Sequence, residues 1–402
     1  SRHRVGRRCV RLVVPPAHAC AGRTQFFHPA IMSRGLLVAL VAGLAAGGKV
    51  TGALRGGAVK AGDEQPWGST KVGIVTVTKE PANIQRWFQY HLAIGFDHIY
   101  LQVEGTPWID DIIGKPEFVH KITYWRVPEP NVTDNYNDLQ SRQRIAVQYA
   151  VQLSTAPNAR APVDWLLHID DDELFYVPGH PVGVPNVRDL FESVPKTYRS
   201  VKFRNSEAVY PSVEVKDCFK ESTLFRRNGA TSYANGKSAG RTAGRQAIMP
   251  FGPHDFDVPN PAVVLDTSVL PTPPGLVLHF ESCPFSRWEK KFWSLRQTPA
   301  QSLKNIPFPF YRESIWLMNK CGFLWGQRLP SIDEQQGSNV TVAQSVDPAC
   351  HIDNLKRFWS SYKVQAQAAD TAQGPGYQEG ADTQLRIHID WAAIEQTLPV
   401  KH

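Results

Sequence analysis

Apolar and polar residues alternate along the middle of this chain in patterns that separate strands from helices. The segment from Lys71 to Thr78 is almost continuously apolar or β-branched, as expected for a strand that is covered on both faces. A helix is predicted from Pro81 to Ile94, because a proline stands in its first turn and apolar side chains recur at helical spacing. Trp87 and His91 fall on that apolar face, so we expect both to be core residues.

The alternation continues through four more segments. Strands are predicted over residues 98–103, 118–126 and 163–169, and a long helix over residues 138–153. The apolar side of that helix is expected to carry Ile145, Val147, Tyr149 and Val151. Strands that alternate with helices in this way form β-α-β units, so we expect an α/β fold with a mostly parallel central sheet flanked by helices.

The last of these strands ends in four consecutive carboxylates, Asp170, Asp171, Asp172 and Glu173. Ligands of parallel sheets bind beyond the carboxyl ends of the strands, which is where this run lies. In an extended segment Asp170 and Asp172 point to the same side and can approach one divalent ion. Oxygen ligands suit Mg²⁺ or Mn²⁺, which complete their coordination with substrate phosphates, so a nucleotide-sugar is an expected substrate.

The alternative interpretation of the acidic run is a solvated loop after a strand. Apolar residues stand directly on both sides of the run, from Trp165 to Ile169 and from Leu174 to Val177. A solvated loop rarely lies so tightly between two apolar segments. The position therefore favours a metal site.

Charge narrows the functional classes further. The 402 residues include 44 Lys and Arg against 37 Asp and Glu, a formal net charge of +7. Ten of the basic residues and no acidic residue lie within residues 1–60, so the remainder holds 34 basic and 37 acidic side chains. The folded part therefore lacks a general basic field, and we expect no nucleic-acid partner.

The basic leader, residues 1–67, is typical of a targeting segment. Residues 32–48 contain a basic flank, an apolar run and small residues, the pattern of a secretory signal or a short membrane anchor. This predicts the secretory pathway, specifically the Golgi lumen, with membrane association through the leader as an expectation. A plastid location is the alternative, because an Arg-rich leader without acidic residues also fits a transit peptide.

Two other features bear on the compartment. Asn131 and Asn339 begin glycosylation sequons, which a luminal protein can use. Outside the leader four cysteines allow three disulfide pairings in an oxidising compartment, and isolated buried thiols are the alternative; these cysteines are Cys218, Cys283, Cys321 and Cys350.

Several short motifs, in order, resemble those of the glycosyltransferase family 92 and family 2-like group. They are Lys79-Glu80, Trp87, Tyr90-His91, Gly95-Phe96-Asp97-His98 and Trp165-Leu-Leu-His-Ile-Asp-Asp-Asp-Glu173. The resemblance extends from Val72 to about Trp293. It implies a GT-A fold, a divalent metal bound through Asp170 and Asp172, a nucleotide-sugar donor, and inversion at the anomeric carbon.

The resemblance also implies roles for three further residues. His279 is expected to complete the metal or diphosphate site, as a histidine on a late strand does in GT-A enzymes. Glu80 would bind the nucleotide or order its loop, and Glu173 would orient the acidic motif or touch the donor. A buried structural histidine and a helix-start carboxylate are the respective alternatives for His279 and Glu80.

Three candidates come from the residues between 202 and 257. Gly236-Lys237-Ser238 is not a phosphate loop, because the upstream glycine is missing and no strand leads into it. Lys237 and Arg241 are instead expected to reach the donor diphosphate or an acidic acceptor, with simple solvation as the alternative. Asp255 is the candidate base for an inverting transfer, and Asp217, Glu221 or Glu281 could replace it.

The predicted organisation is thus a leader over residues 1–67, a GT-A domain over residues 68–330 and a partly disordered C-terminal extension over residues 331–402. The predicted activity is transfer of a hexose or pentose from a nucleotide-sugar to a hydroxyl of a glycan or glycoprotein, with Mn²⁺ or Mg²⁺ as cofactor. A secreted calcium-dependent carbohydrate-binding protein and a metal-dependent phosphatase or nuclease are the alternatives.

Overall fold

The computed structural model describes residues 70–128, 136–179, 186–226, 233, 235–242, 248, 250–256, 262–270, 272–321, 348–364, 378–379 and 384–397. The leader and both glycosylation sequons lie outside these residues. The predicted boundaries at residues 67 and 330 stay predictions.

The described residues form twelve strands and ten α-helices. The strands are β1 (Val72–Lys79), β2 (His98–Glu104), β3 (Ile122–Val127), β4 (Trp165–His168), β5 (Glu173–Tyr176), β6 (Ser200–Val209), β7 (Leu224–Arg226), β8 (Lys237–Arg241), β9 (Val264–Asp266), β10 (Leu276–His279), β11 (Gln378–Glu379) and β12 (Gln384–Arg386). The helices are α1 (Ile84–Ala93), α2 (Ile109–Ile113), α3 (Tyr136–Thr155), α4 (Val187–Glu192), α5 (Cys218–Glu221), α6 (Phe285–Leu295), α7 (Ala300–Leu303), α8 (Pro309–Lys320), α9 (Ile352–Lys363) and α10 (Trp391–Thr397).

The strands join in one mixed sheet with helices on both faces. Its main path runs β11-β12-β7-β6-β8-β4-β1-β2-β3, and β5, β9 and β10 pair beside it. The four strands β3, β2, β1 and β4 are parallel to one another. This half confirms the predicted alternation of strands and helices and brings the carboxyl ends of β1, β2 and β4 to one edge.

Helices cover both faces of the parallel half. On one face α1 buries Ile84, Trp87 and Phe88 in the larger core, which confirms Trp87 as a core residue. On the other face α3 buries Val147, Ala150 and Val151 against strand residues that include Val75. The predicted apolar side of α3 was partly wrong, because Ile145 is 55% exposed and Ala146 is buried instead. Residues spaced by two do not share one face of a helix.

The histidine of α1 is also a core residue, as predicted. His91 is fully buried, and burial lowers its pKa to about 3. Its Nε2 accepts a hydrogen bond from the backbone N–H of Phe175 in β5 at 3.2 Å, and its Nδ1 lies 2.9 Å from the carbonyl oxygen of Trp87. The imidazole therefore joins α1 to the strand that follows the acidic run.

Strand β10 connects the parallel half to the rest of the sheet. It pairs antiparallel with β5, where His279 lies opposite Glu173, and parallel with β6, where His279 lies opposite Glu207. The register therefore places His279 beside the end of the acidic run, although more than a hundred residues separate them in sequence.

Segments near the C-terminus pack on the same core. Strand β12 pairs with β7, and Leu355, Trp359 and Ile394 are buried in the larger cluster. Two disulfides form among the four cysteines, Cys218–Cys283 and Cys321–Cys350. The second disulfide ties the segment that precedes α9 to the end of α8.

The described helices include none that combines the length and the apolar character needed to cross a bilayer. The apolar run predicted over residues 32–48 lies outside the described part of the chain.

We expect Trp87→Ala to lower the free energy of unfolding by about 3–5 kcal/mol. The indole is fully buried, and its N–H donates to the carbonyl oxygen of Glu173 at 2.7 Å, so the change leaves a cavity and an unpaired carbonyl beneath the acidic turn. Urea denaturation measures the loss. Trp316→Ala is the control, since Trp316 is 58% exposed and should cost no more than about 0.5 kcal/mol. Equal losses in the two variants would contradict this account.

Candidate functional site

A cavity of about 480 Å³ opens where strands β1, β2 and β4 end. Its floor contains Asp170, Asp171 and Asp172. Its walls come from the β1–α1 loop, the β2–α2 loop, α3, α6 and the segment before α8. The cavity therefore lies where parallel sheets bind ligands, beyond the carboxyl ends of the strands.

The acidic run forms a turn rather than an extended segment. It connects β4 to β5, and the backbone N–H of Glu173 donates to the carbonyl oxygen of Asp170 at 3.1 Å. One side-chain oxygen of Glu173 in turn accepts from the backbone N–H of Asp170 at 2.6 Å. The strand-like alternation assumed from the sequence was wrong here. The turn nonetheless exposes all three aspartates to the cavity, which alternation would not have done.

Asp170 is paired with a lysine. The Nζ of Lys237, at the start of β8, lies 2.7 Å from Oδ2 of Asp170, and the amide of Gln143 donates to Oδ1 at 2.6 Å. Burial alone would raise the pKa of Asp170, but Lys237 outweighs it and holds that pKa well below the usual range. Asp170 is therefore a carboxylate whose charge the chain itself already balances.

Asp171 has a similar pairing with an arginine. Its Oδ1 accepts from a guanidinium N–H of Arg287 in α6 at 2.6 Å, and its Oδ2 accepts from the hydroxyl of Thr78 in β1 at 2.7 Å. Burial raises the pKa of Asp171 to about 6, with Asp172 adding to the shift and Arg287 opposing it. The Arg287–Asp171 pair joins α6 to the acidic turn.

Asp172 is different, because no lysine or arginine of the described chain lies within ion-pair distance of it. Its nearest cationic partner is the imidazole of His279, with Nε2 3.8 Å from Oδ1. Ligand atoms of Asp172, His279 and Glu281 all lie within 4.8 Å of one another. These three residues, which we call the Asp172 group, have the donor atoms and the proximity that a divalent cation requires.

Buried contacts hold the other two members of the group in place. The Oε2 of Glu281 lies 3.3 Å from Nε2 of His279 and accepts from the hydroxyl of Tyr311 at 2.8 Å, while Nζ of Lys291 lies 2.8 Å from Oε1. Burial alone would lower the pKa of His279, but the hydrogen bond to Glu281 and the charge of Asp172 raise it. Burial likewise opposes ionisation of Glu281, yet Lys291 and His279 hold its pKa well below the usual range.

The Asp172 group fits a divalent ion by the chemistry of its donors. Two carboxylates and one imidazole suit Mn²⁺ better than Mg²⁺ or Ca²⁺, which prefer oxygen ligands alone. In addition, Nδ1 of His279 is buried and has no hydrogen-bond partner among the described residues. The nitrogen that faces the carboxylates of Asp172 and Glu281 is Nε2, so Nε2 is the atom that would bind the ion.

Glu173 lies beneath the site and does not line the cavity. It is fully buried, and the hydroxyl of Tyr233 donates to its Oε1. Burial raises its pKa to about 7, although Lys237 opposes the shift. Its contacts with the acidic turn are those of a residue that orients the motif, one of the two roles expected for it.

Glu80 and Lys290 stand at the mouth of the cavity. The side chain of Glu80 is 54% exposed and lies 3.5 Å from Nζ of Lys290, which is 68% exposed. Glu80 has a positive φ of 46°, and its carbonyl oxygen accepts from Arg287 at 2.8 Å. Glu80 therefore lies where the sequence expected it, at the end of β1 beside the candidate ligand space.

Two residues named from the sequence lie away from the cavity. Arg241 ends β8 opposite Trp165, and its guanidinium donates to the carbonyl oxygens of Tyr198 and Val194 at 3.3 and 3.2 Å. Asp255 pairs with Lys202 at 3.0 Å. Neither is among the residues that line the cavity. The geometry thus gives Arg241 no access to a donor bound there, and it places the Asp255 carboxylate against a lysine instead.

Lys237 lies in the site but not at its surface. Its side chain is fully buried between Asp170 and Glu173. Burial lowers the pKa of Lys237, and the two carboxylates more than offset this and raise it. We therefore assign Lys237 to the support of the acidic turn, rather than to direct contact with a diphosphate.

The residues that sequence reasoning missed or misplaced lie mostly on α6. Arg287, Lys290 and Lys291 line the cavity together, and Glu281 joins the Asp172 group although it was considered only as a substitute base. The sequence contained a signal for this basic face. Lys290 and Lys291 lie three and four residues after Arg287, so in a helix that follows His279 they lie on the same side as Arg287.

Comparisons with known proteins give one similar curated sequence. No family model matches the chain. Over 230 residues the chain is 26% identical to a protein of Arabidopsis thaliana described as glycosyltransferase-like. The alignment covers 46% of this chain and 49% of that protein. The chain thus spans about half the length of the curated relative that it matches.

Solved structures match parts of the chain with low TM-scores. One is 4-diphosphocytidyl-2C-methyl-D-erythritol synthase from Anaerococcus prevotii, at 12% identity over 43% of this chain and 72% of that chain, with a TM-score of 0.22. Another is HddC from Yersinia pseudotuberculosis, at 11% identity over 43% of this chain and 77% of that chain, with a TM-score of 0.23.

We expect Lys237→Met to lower the free energy of unfolding by about 3–5 kcal/mol, because it leaves the carboxylates of Asp170 and Glu173 without their buried cation. Lys290→Met is the matched control, because that lysine is largely exposed and should cost at most about 0.5 kcal/mol. Urea denaturation at neutral pH compares the two. A stability unchanged by Lys237→Met would refute the supporting role.

Proposed function

We propose that this protein is a metal-dependent glycosyltransferase of GT-A type, which moves a hexose or pentose from a nucleotide-sugar to a hydroxyl of a glycan or glycoprotein. The carrying observation is the Asp172 group, which lies in a cavity at the carboxyl ends of parallel strands. The sequence similarity to a protein described as glycosyltransferase-like supports the same class.

Asp172, His279 and Glu281 would hold the cation, and Mn²⁺ suits them best. When bound, such an ion neutralises the charge that develops on a departing diphosphate. Asp170, expected from the sequence to be a ligand, is paired with Lys237 and does not belong to the close group formed by Asp172, His279 and Glu281. We therefore assign Asp170 to the shape of the turn and Asp172 to the ion.

The basic face of α6 supports a diphosphate substrate. Arg287, Lys290 and Lys291 line the cavity that also contains the Asp172 group. Arg287 is fixed by Asp171, Lys291 is fixed by Glu281, and Lys290 is exposed at the mouth. Fixed cations beside a metal site offer charge stabilisation to phosphate oxygens without reorganisation during the reaction.

An inverting transfer needs a group that takes the proton from the attacking hydroxyl. Asp255 was the candidate from the sequence, but its carboxylate is paired with Lys202 and it does not line the cavity. In this structure Asp255 is therefore unsuited to that role, and we expect its removal to leave transfer intact.

Two observations weigh against the rival functions. Calcium takes oxygen ligands alone, so the histidine in the Asp172 group disfavours a calcium-dependent binding protein. A two-metal nuclease or phosphatase requires a second set of ligands, and the part of the chain that the structure describes contains one group of three close metal-binding side chains.

For location we propose the Golgi lumen of the secretory pathway. The pairs Cys218–Cys283 and Cys321–Cys350 support an oxidising compartment, because disulfides persist there and are rare in the cytosol. The leader with its apolar run is the segment that would direct the chain to that compartment or hold it at the membrane.

We expect Asp172→Asn and His279→Ala each to reduce metal-dependent nucleotide release from the donor at least about a hundredfold, because each removes a ligand atom from the Asp172 group. Asp255→Asn is the matched control and should keep near-normal activity, since its carboxylate is paired away from the cavity. Release is measured on a panel of nucleotide-sugars with Mn²⁺, after thermal unfolding has shown that each variant is folded. Full activity of Asp172→Asn would remove the metal assignment.

Removal of the metal tests the same proposal without mutation. We expect EDTA to abolish nucleotide release, Mn²⁺ to restore it best and Ca²⁺ to fail, because the donor set includes an imidazole. If no donor on the panel released nucleotide in either Mn²⁺ or EDTA, the transferase proposal would be abandoned in favour of a binding protein.

A further inference from the structure

A second histidine lines the cavity without belonging to the Asp172 group. The Nδ1 of this residue, His254, lies 2.8 Å from the carbonyl oxygen of Gly236, directly before β8. A carbonyl oxygen only accepts, so Nδ1 carries the proton and Nε2 keeps a lone pair. Nε2 makes no hydrogen bond to the described residues, and unlike Nε2 of His168 it is not buried. His254 therefore presents a hydrogen-bond acceptor of fixed tautomer to the cavity.

The segment that carries His254 is fixed on both sides of this residue. Before it, the carbonyl oxygen of Pro253 accepts from Nδ1 of His168, a buried residue at the end of β4, at 2.7 Å. After it, the carbonyl oxygen of Asp255 accepts from the backbone N–H of Phe251 at 2.9 Å. These bonds hold the position of the imidazole without help from the Asp255 carboxylate.

The ring of Tyr233 connects His254 to the metal-binding residues. Its centre lies 4.8 Å from the centre of the His254 ring and 4.8 Å from that of His279. The hydroxyl of Tyr233 donates to Glu173, which fixes the ring between the strands. His254 is thus close enough to the Asp172 group to contact a substrate whose leaving group is bound there.

The charges beside His254 differ from those on α6. Its charged neighbours include Lys237 and Asp170, which are paired with each other. The cations that suit a diphosphate, Arg287 and Lys291, are carried by α6 instead. The part of the cavity at His254 therefore suits an uncharged hydroxyl better than a phosphate group.

The other candidate proton acceptors of the cavity are already engaged. Each carboxylate on its described wall is paired with a cation or belongs to the Asp172 group; these are Glu80, Glu104, Asp170, Asp171, Asp172 and Glu281. Burial and, next, the charge of Lys237 lower the pKa of His254 to about 3, with Asp170 opposing the shift. The imidazole is therefore neutral at physiological pH, and its lone pair is available.

We propose that His254 is the catalytic base, whose Nε2 accepts the proton of the attacking hydroxyl. The inference rests on the proposed function and on an inverting transfer. A lone pair of the hydroxyl oxygen forms the bond to the anomeric carbon. The bond from that carbon to the diphosphate breaks, its electron pair leaves with the diphosphate, and the proton passes to Nε2 and then to water. A weak base suffices, because the attacking oxygen becomes strongly acidic as its bond to an oxocarbenium-like carbon forms.

Nucleotide release from the panel of nucleotide-sugars, with Mn²⁺ and with water as the nucleophile, tests the base on the full chain. His254→Asn keeps an amide N–H for the Gly236 carbonyl and removes Nε2. We expect it to lower kcat by about 100-fold or more. The donor KM, and the affinity for the released nucleoside diphosphate with Mn²⁺ by isothermal titration, should stay within about twofold of wild type, since the base does not hold the diphosphate. Added imidazole should restore part of the release in His254→Ala.

His120→Gln is the matched control, because His120 is exposed and does not line the cavity, and it should behave as wild type. A normal kcat in His254→Asn would overturn the base and leave the transferase proposal standing. A loss confined to KM or nucleotide affinity, or no rescue by imidazole, would also overturn it. So would retention of configuration in the released sugar, measured by early proton NMR. Failure of wild type to release nucleotide from any donor would overturn both proposals.

Discussion

The structure of the site depends on the need to neutralise carboxylates that are crowded at the end of one strand. Four acidic residues in a row, with Glu281 added from the segment after β10, repel one another strongly in a partly buried place. The chain supplies a separate cation for most of them: Lys237 for Asp170, Arg287 for Asp171 and Lys291 for Glu281. Among the described residues Asp172 has only a histidine within ion-pair distance, and this unequal distribution is the reason for proposing it as a metal ligand.

The same constraint explains why distant segments converge on the site. Lys237 arrives on a strand that is antiparallel to β4, and Arg287 and Lys291 arrive on the helix that follows β10. The segment between His279 and that helix is held in turn, because the hydroxyl of Tyr210 and the indole of Trp359 donate to the carbonyl oxygens of Glu281 and Ser282. Since Trp359 belongs to α9, this late helix helps to hold the backbone beside Glu281 of the Asp172 group.

The sequence predicted local features, such as single strands and helices. It did not predict features that depend on the pairing of strands and side chains far apart in the sequence. Strands β1, β2 and β4 and helix α1 were found within a few residues because their apolar patterns are complete within each segment. The acidic run was identified for the same reason. The conformation of the run could not be predicted, because the same four side chains point in different directions in a turn held by Glu173 and in an extended strand. Lys237 and Arg241 are four residues apart on one strand, yet only the sheet register shows that one end of β8 meets Asp170 and the other meets Trp165.

Burying a lysine between two carboxylates is a poor way to gain stability, since replacing all three charged groups together by apolar groups of similar size often serves a fold equally well or better. In this protein the buried ions hold the turn that contains Asp172, with the oxygens of Glu173 and the ammonium of Lys237 fixing it from below. An apolar replacement could fill the space but could not hold the backbone N–H of Asp170 or balance its carboxylate. The arrangement is therefore better understood as preorganisation of a charged turn, in which the carboxylate of Asp172 is held in a fixed position beside His279.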